Sequence, residues 1–364
     1  MKSLAIYAGP DAMQHLRQHG LQAAHVGVIP AAAGGPKGLI LGPMDRFLFN
    51  EWLPQSKQVI DLVGASIGAW RMATACMKDS QAGLLRLEHD YVHQHYELKP
   101  GEKFPSAHQV SHSFRQNLDA FYAGHVDTLL NHPRFRLHVL TSRGKGLLQH
   151  EHPLLTPLGY GAAFITNVFN RRWMGAFLER VVFSSAGREL PFETHDYATR
   201  SLKLNALNFM DVLQASCAIP FVLQAVHEIE GAPKGAYWDG GITDYHLHLA
   251  WKTHAMATDP SAAPLVLYPH FQKSVIPGWL DKSLKWRHQA SNFLNHTIVL
   301  APRSDWLKTL PNGKLPDRSD FHTYGQDLKS RVKVWQSAVS ASQQMADEFA
   351  EWLDKPDIAC VQAL

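Results

Sequence analysis

A serine flanked by small residues is the part of the sequence best suited to chemistry. Ser66 lies in the run Gly64-Ala65-Ser66-Ile67-Gly68, with one glycine two positions before it and another two positions after it. This spacing is typical of a nucleophile elbow, a tight turn between a strand and a helix that exposes the serine hydroxyl. The same five-residue pattern also arises by chance, so the surrounding chain is needed to choose between the two interpretations.

A second stretch could stabilise the negative charge that forms when a serine attacks a carbonyl group. The run from Pro30 to Gly38 reads Pro-Ala-Ala-Ala-Gly-Gly-Pro-Lys-Gly, and its small residues allow a ligand to approach the backbone amides closely. A phosphate loop of the Walker type would need Ser or Thr after Lys37, where this chain has Gly38. A candidate oxyanion hole and an inert turn between a strand and a helix remain as the two interpretations.

A carboxylate that could accept the serine proton follows much later in the chain. Asp239 ends the aromatic run Tyr237-Trp238 and precedes two glycines. A carboxylate at the end of a short strand suits a base aimed at a neighbouring loop, and it equally suits an ordinary turn.

The elements around these residues have the pattern of an α/β protein. Val59 to Val63 predicts a buried strand that runs into the elbow, and Ala69 to Met77 predicts the helix after it. A hydrolase with a histidine base would have its serine on about the fifth strand of the sheet, whereas only two or three strands precede Ser66. Further strands are predicted at 4–8, 24–29, 136–140, 201–205, 264–268 and 297–301, and further helices at 11–19, 39–52 and 209–216.

Composition and cysteine usage limit the classes of protein that the chain could belong to. The 364 residues carry a formal net charge of +3 that is spread along the chain, which gives no reason to expect a nucleic-acid partner. The three cysteines are far apart and lack metal-ligand spacing, which predicts a reducing, cytoplasmic compartment. The N-terminal apolar run is too short for a signal peptide, and no stretch is long and apolar enough to span a membrane.

One apolar segment leaves two structural interpretations open. Between residues 154 and 183, Ile165, Phe169, Trp173 and Phe177 recur every four residues, which predicts a helix with one apolar face. That face most often packs on the core. The alternative is a lid or a lipid-contacting surface over the site.

Taken together, the motifs resemble those of the patatin-like phospholipases. The resemblance covers roughly residues 24 to 245. It rests on four motifs in the family's order, namely Gly34-Gly35-Pro36-Lys37-Gly38, Gly64-Ala65-Ser66-Ile67-Gly68, Ala215-Ser216-Cys217-Ala218-Ile219-Pro220 and Asp239-Gly240-Gly241. It implies a three-layer α/β/α sandwich with a mainly parallel central sheet.

The resemblance also implies a mechanism. Ser66 would be the nucleophile and Asp239 the base, in a Ser-Asp dyad without histidine. The glycine-rich loop would form the oxyanion hole, with the amides of Gly34 and Gly35 as donors, Lys37 at the family's basic position and Gly38 after it. No metal or organic cofactor is implied.

The loop departs from the family pattern at two positions. The family commonly has Asp-Gly-Gly-Gly-x-Arg-Gly, and here Ala32 and Ala33 replace the aspartate and the first glycine. An alanine can still donate its amide if its φ is negative, but it would be strained at a position that needs a positive φ. Ala69 and Trp70 after the elbow add bulk that would narrow an acyl pocket.

The sequence therefore predicts a single domain over residues 1–364. It would contain helical insertions at about 78–130 and 154–183 and a closing amphipathic helix at about 324–353. The predicted activity is hydrolysis of acyl esters of lipids by a cytoplasmic enzyme that contacts membranes peripherally. Transfer of the acyl group to an acceptor other than water, and a catalytically silent lipid-binding or scaffolding protein, are the alternatives.

Overall fold

The computed structural model describes residues 1–98, 101–102, 104–186, 189–252 and 265–364. Within these residues the chain forms ten strands: β1 Leu4–Ala8, β2 Val26–Ala31, β3 Ile60–Ala65, β4 Phe135–Gly144, β5 Leu178–Ser184, β6 Thr199–Lys203, β7 Tyr237–Asp239, β8 Leu265–Pro269, β9 Thr297–Pro302 and β10 Gln362–Ala363.

The described residues also form eleven α-helices: α1 Pro10–His19, α2 Gly42–Phe47, α3 Ile67–Ala75, α4 Ser80–Val92, α5 Ala107–Tyr122, α6 Val126–Leu130, α7 Leu155–Phe169, α8 Phe209–Cys217, α9 Ser304–Leu307, α10 Ser319–Tyr324 and α11 Leu328–Asp354. The glycine-rich loop continues into a 3₁₀ helix, Gly35–Leu41, before α2.

The strands form one mixed sheet whose pairings are mainly parallel. Its order is β10-β1-β9-β8-β2-β3-β4-β5-β6, with β7 paired to β4 away from this path. Of the nine strand pairings among the described residues, six are parallel and three antiparallel. The predicted α/β class with a mainly parallel central sheet is therefore confirmed.

The register of this sheet brings three distant parts of the chain to one edge. Ala31 at the end of β2 pairs with Gly64 in β3, and Ala65 at the end of β3 pairs with Leu140 in β4. One residue further along β4, Thr141 pairs with Asp239 of β7. Because β2 and β3 are parallel, the glycine-rich loop and the elbow emerge at the same edge. Strand β7 is antiparallel to β4, and its register with Thr141 brings Asp239 to the same place.

Most of the strands predicted from sequence are found within two residues of their expected bounds. β1 covers the predicted residues 4–8, and β9 extends the predicted 297–301 by one residue. Pro264, the first residue of another predicted strand, lies outside the described residues, and β8 begins at Leu265. The closing helix predicted at about 324–353 corresponds to α11, which begins four residues later, at Leu328, and ends at Asp354.

The segment 154–183 differs from its prediction in two ways. It is not one helical insertion, because α7 ends at Phe169, a 3₁₀ helix covers Arg171–Ala176 and β5 begins at Leu178. The core-facing interpretation of its apolar face is also wrong, since Phe169 is 74% exposed and both Ile165 and Trp173 are 59% exposed. Helical spacing reports which residues share a face, but it does not report what covers that face.

Candidate active site

The chain turns sharply at Ser66, between β3 and α3. Ser66 has φ 56° and ψ −129°, a conformation that residues with a side chain rarely adopt. Strain of this kind typically costs about 1–3 kcal/mol and persists only where surrounding packing imposes it. The geometry is that of the strand-turn-helix predicted from the sequence.

The two flanking glycines are required by close backbone contacts. A Cβ atom at position 68 would lie 1.9 Å from the carbonyl oxygen of Ala31, and one at position 64 would lie 2.5 Å from the backbone nitrogen of Ala69. Neither contact is compatible with a side chain, because both neighbours are main-chain atoms. The tight fit at Gly68 also holds the elbow against the start of the glycine-rich loop.

The hydroxyl of Ser66 contacts the carboxylate of Asp239. Its Oγ donates a hydrogen bond to Oδ2 of Asp239 at 2.7 Å, although the two residues are 173 positions apart in the chain. Both residues are buried. The structure thus brings together the two side chains that the sequence proposed as nucleophile and base.

Three further hydrogen bonds fix Asp239 in place. The amide of Gly241 donates to Oδ1 of Asp239 at 2.7 Å, the amide of Asp239 donates to the carbonyl oxygen of Ala218, and the hydroxyl of Ser142 donates to the carbonyl oxygen of Asp239. One oxygen of the carboxylate therefore accepts a hydrogen bond from the turn that follows, and the other accepts one from Ser66.

Burial raises the pKa of the Asp239 carboxyl above its usual value of 3.8. The positive charge of Arg318 and the hydrogen bonds from Ser66 and Gly241 act in the opposite direction. A carboxylate with a raised pKa is a stronger base once it is ionised, which suits a group that takes a proton from a hydroxyl.

Ser216 connects the elbow to strand β4 through two hydrogen bonds. The backbone amide of Ser66 donates to Oγ of Ser216 at 3.0 Å, and the Ser216 hydroxyl donates to the carbonyl oxygen of Leu140 at 2.7 Å. Ser216 lies in the motif Ala215-Ser216-Cys217, which the sequence singled out without giving this residue a role. Since the Ser66 amide is engaged here, it is not available to stabilise an oxyanion.

The amides of the glycine-rich loop are only partly engaged by the described residues. The Ala33 amide donates to the carbonyl oxygen of Tyr245 at 2.9 Å, whereas within the described part of the chain no acceptor is found for the amides of Gly34 and Gly35. Positive φ occurs at Gly35, at 56°, and at neither alanine of the loop. The alanines that replace the family's aspartate and glycine therefore do not strain the loop.

The other residues of the loop occupy two different environments. Lys37 lines the cavity described below, together with Gly34. Gly38 packs on the elbow instead, because a Cβ there would lie 3.2 Å from the side chain of Ile67. Trp70 is buried against Phe114 and Phe121 of α5 and is not among the residues lining the cavity.

A cavity of about 290 Å³ opens beside the dyad and has a cationic wall. Asp239 is one of the residues that line the cavity. Ser66 is not one of them, but its hydroxyl is hydrogen-bonded to Asp239. Three basic side chains from separate elements face the same space, namely Lys37, Lys282 and Arg318.

Sequence reasoning missed Lys282 and Arg318 because both lie after the four motifs. Lys282 follows the 3₁₀ helix Trp279–Asp281, and Arg318 immediately precedes α10. Neither position has a local pattern that marks a site, so only the fold relates them to Ser66. Lys37 was identified through the loop motif.

The described residues contain neither a candidate metal site nor a candidate membrane-spanning helix. In the part of the chain that the structure covers, no group of three or more His, Cys, Asp or Glu side chains is arranged to hold a metal ion. None of the helices there has the length and apolar character to cross a bilayer.

Comparisons with known proteins give little further information. No protein-family profile matches the sequence, and no curated protein matches it either. Among solved structures, the chain is similar to VipD from Legionella pneumophila, with a TM-score of 0.33 and 14% sequence identity. The alignment covers 72% of this chain and 52% of VipD, so the chain spans about half the length of that protein. Similarity at this level assigns neither a family nor an activity.

Proposed function

We propose that the chain is a serine hydrolase that cleaves acyl esters of lipids through a dyad of Ser66 and Asp239. The hydrogen bond of 2.7 Å between Ser66 Oγ and Asp239 Oδ2 carries this proposal. It joins a hydroxyl on a strained elbow to a buried carboxylate, which is the arrangement that nucleophilic catalysis needs. In the described residues Ser66 Oγ has Asp239 and no histidine as its hydrogen-bond partner.

In the first half of the reaction, Ser66 Oγ attacks the ester carbonyl carbon while its proton passes to Asp239 Oδ2. The carbonyl oxygen becomes an oxyanion in the tetrahedral intermediate. The intermediate collapses by breaking the bond to the alcohol oxygen, and the alcohol leaves with the proton held by Asp239. An acyl group is then bound to Ser66 Oγ, and Asp239 is again ionised.

In the second half, a water molecule gives a proton to Asp239 and its oxygen attacks the acyl carbon. The tetrahedral intermediate that results expels Ser66 Oγ, which recovers the proton from Asp239. The fatty acid leaves and the free enzyme is restored. If an alcohol takes the place of water, the same steps give acyl transfer. Analysis of the products therefore separates hydrolysis from acyl transfer.

The free amides of Gly34 and Gly35 support an oxyanion hole in the loop beside the elbow. Their hydrogen-bond donors have no acceptor among the described residues, and Gly34 borders the same cavity as Asp239. Loss of one such donor typically lowers kcat about a hundredfold or more. In this proposal Lys37 adds a positive charge beside the oxyanion hole, and Gly38 allows the loop to pack closely on Ile67.

An exposed apolar face supports a lipid substrate and peripheral contact with a membrane. Helix α7 has no charged residue. Four apolar side chains are exposed on one side of it and of the residue before it, at spacings of four or seven residues, namely Leu154, Leu158, Ile165 and Phe169. Phe221 is also exposed and has its ring 6.4 Å from that of Tyr160 in α7. Tyr160 lies on the side of α7 that packs on Trp238, away from this exposed face. Ile219, two residues before Phe221, lines the cavity.

We also infer a three-layer α/β/α sandwich. The central strands β3 and β9 are buried along almost their whole length, as expected for parallel strands covered on both faces. Helix α3 packs on β2 and β3, α8 packs on β4 and β7, and α11 packs on β1. These contacts spread the helices over the width of the sheet.

Labelling with a fluorophosphonate probe tests the proposed nucleophile. The probe should modify the wild-type chain at Ser66 and leave Ser66→Ala unmodified, with circular dichroism confirming that both are folded. Asp239→Asn should abolish hydrolysis of p-nitrophenyl butyrate while His246→Gln and His270→Gln do not. A folded wild type that is not labelled would favour the silent lipid-binding alternative, and activity in Asp239→Asn would indicate a different base.

Vesicle sedimentation tests the apolar face separately. We expect Phe169→Glu to reduce binding to liposomes, because a charge in the headgroup region opposes burial of the surrounding apolar side chains. Leu85→Glu is the matched control, since Leu85 is exposed on α4 and not on this face. Equal binding by both variants would contradict the membrane contact.

A further inference from the structure

We infer that Lys37, Lys282 and Arg318 form a subsite for a phosphate group on the alcohol part of the substrate, so that the enzyme prefers acyl esters with a negatively charged leaving group. The inference rests on the proposed function, which it extends by giving the chemical class of the substrate. Lys282 and Arg318 both lie beyond the four motifs on which the family resemblance is based.

The three cations face one small space. The described residues supply no ion-pair partner for Lys37, Lys282 or Arg318. The ammonium of Lys282 lies 4.1 Å from the centre of the Tyr245 ring, and that of Lys37 lies 5.7 Å from the centre of the Phe271 ring. Aromatic contacts of this kind position a cation but do not neutralise it.

The acidic residues on the same wall do not balance these charges. Asp317 is already paired with Lys314 at 3.0 Å. Asp239 lowers the positive potential at Arg318 and Lys282, but it supplies one negative charge against three positive ones. Burial lowers the pKa of Lys37. The negative charge of Asp317 opposes this, and the smaller effects of the positive charges of Arg318 and Lys314 add to the lowering. An anion placed among the cations would relieve this repulsion.

Phosphate fits the cluster better than an acyl chain does. A tetrahedral oxyanion can accept the forked donors of a guanidinium together with the ammonium groups of two lysines. An acyl chain would leave three charges desolvated without compensation, and the uncharged surface of α7 suits it instead. The cavity therefore takes the alcohol part, and its volume of about 290 Å³ suits a compact group.

Buried anchors hold two of the cations in place. Asp281, which precedes Lys282, accepts hydrogen bonds from Asn167 at 2.8 Å and from Arg287 at 2.9 Å. Asp320, two residues after Arg318, accepts a hydrogen bond from the indole of Trp335 at 2.9 Å. The first segment is thus fixed to α7 and the second to α11 before any ligand binds, which lowers the entropic cost of binding.

Selectivity between two esters of the same fatty acid provides the main test. We would measure kcat/KM for 1-oleoylglycerol 3-phosphate and for 1-oleoylglycerol in the same neutral detergent micelles. Arg318→Gln and Lys282→Gln should each lower the ratio of the two values about tenfold, as expected for loss of a charge-assisted hydrogen bond. Lys308→Gln, at an exposed lysine that does not line the cavity, should leave the ratio unchanged. A ratio that stays constant in both site variants would overturn the inference.

Binding of inorganic phosphate to Ser66→Ala separates this inference from the proposed function. Calorimetry should detect binding to Ser66→Ala and at least a tenfold weaker affinity when Arg318→Gln is added. If phosphate binds in this way while the wild-type chain cleaves no ester, the subsite stands and the hydrolase proposal fails. If phosphate binds equally well with and without Arg318, the subsite is wrong, whatever the activity. A phosphate preference that persists for the water-soluble 1-butyryl ester would show recognition of the phosphate itself and not of a lipid surface.

Discussion

The hydroxyl of Ser216 accepts a hydrogen bond from the backbone amide of Ser66, at 3.0 Å and across 150 positions of the chain. Ser216 also donates its own proton to the carbonyl oxygen of Leu140 in β4, so one buried side chain connects the elbow, α8 and the sheet. This contact holds the main chain of Ser66 in its strained conformation, while Asp239 holds the side chain. The two supports come from different parts of the chain and can be removed separately.

Ser216→Ala should reduce both stability and activity. It leaves the Ser66 amide and the Leu140 carbonyl without their partner in a buried region, which typically costs about 1–3 kcal/mol in the free energy of unfolding. We expect kcat to fall while KM changes little, because the elbow would be positioned less well. Urea unfolding and steady-state kinetics measure the two effects, and Ser340→Ala on the exposed face of α11 is the control. Unchanged kcat would mean that Ser216 is not a positioning residue.

The rate of ester hydrolysis should fall at acidic pH as Asp239 becomes protonated. Because burial raises the pKa of this carboxyl, the acidic limb of kcat/KM should have its midpoint above pH 3.8. Arg318→Gln should move that midpoint to higher pH, since the guanidinium charge lowers the pKa of Asp239. Initial rates with p-nitrophenyl butyrate give the profile. A midpoint that does not move would show that Arg318 exerts no field at the dyad.

Anion binding should weaken at alkaline pH because of Lys282. Burial lowers the pKa of Lys282 to about 8, the charges of Arg318 and Lys37 act in the same direction, and Asp239 opposes them. The Tyr245 hydroxyl beside it stays neutral, because burial raises its pKa to about 12. Affinity for inorganic sulfate, which keeps its charge, should therefore fall as the pH rises past about 8. Lys282→Arg should retain affinity to higher pH, and identical pH dependence in both proteins would contradict the prediction.

Gly68→Ala should prevent the elbow from forming. Its Cβ would lie 1.9 Å from the carbonyl oxygen of Ala31, and relieving that clash would separate β2 from α3 at a cost of about 3 kcal/mol. Thermal unfolding should show a clear loss of stability, together with loss of activity. Gly161→Ala in α7 is the matched control, since no atom lies within 4 Å of its Cβ position and alanine favours a helix. Equal melting temperatures for the two variants would refute the close contact.

Asp45→Asn should destabilise the connection between α2 and α3. Arg71 of α3 donates two hydrogen bonds to the Asp45 carboxylate, at 2.6 and 2.7 Å, and both side chains are buried. Removal of one partner leaves a buried charge, which typically costs about 3–5 kcal/mol. Chemical unfolding measures the loss, and Asp305→Asn in the exposed pair with Lys308 should change stability by less than about 0.5 kcal/mol. A comparable effect of both substitutions would contradict this account.

The sequence by itself determined the local features of the site. The strand that ends at Ala65, the turn at Ser66 and the helix after it follow from apolar runs and glycine spacing over about fifteen residues. The positive φ of Gly35 falls on a glycine, so the loop motif is also locally consistent. Such features can be read from a sequence because backbone geometry depends mainly on neighbouring residues.

Tertiary structure decided everything that depends on distant parts of the chain. The register of β3, β4 and β7 places Asp239 beside Ser66, and the packing of loops after β8 and β9 adds Lys282 and Arg318. The exposure of Phe169 could not be predicted from the sequence either, because helical spacing shows which residues share a face but not what packs on that face. These relationships follow from which surfaces are buried together, and that is a property of the whole fold, not of any one segment.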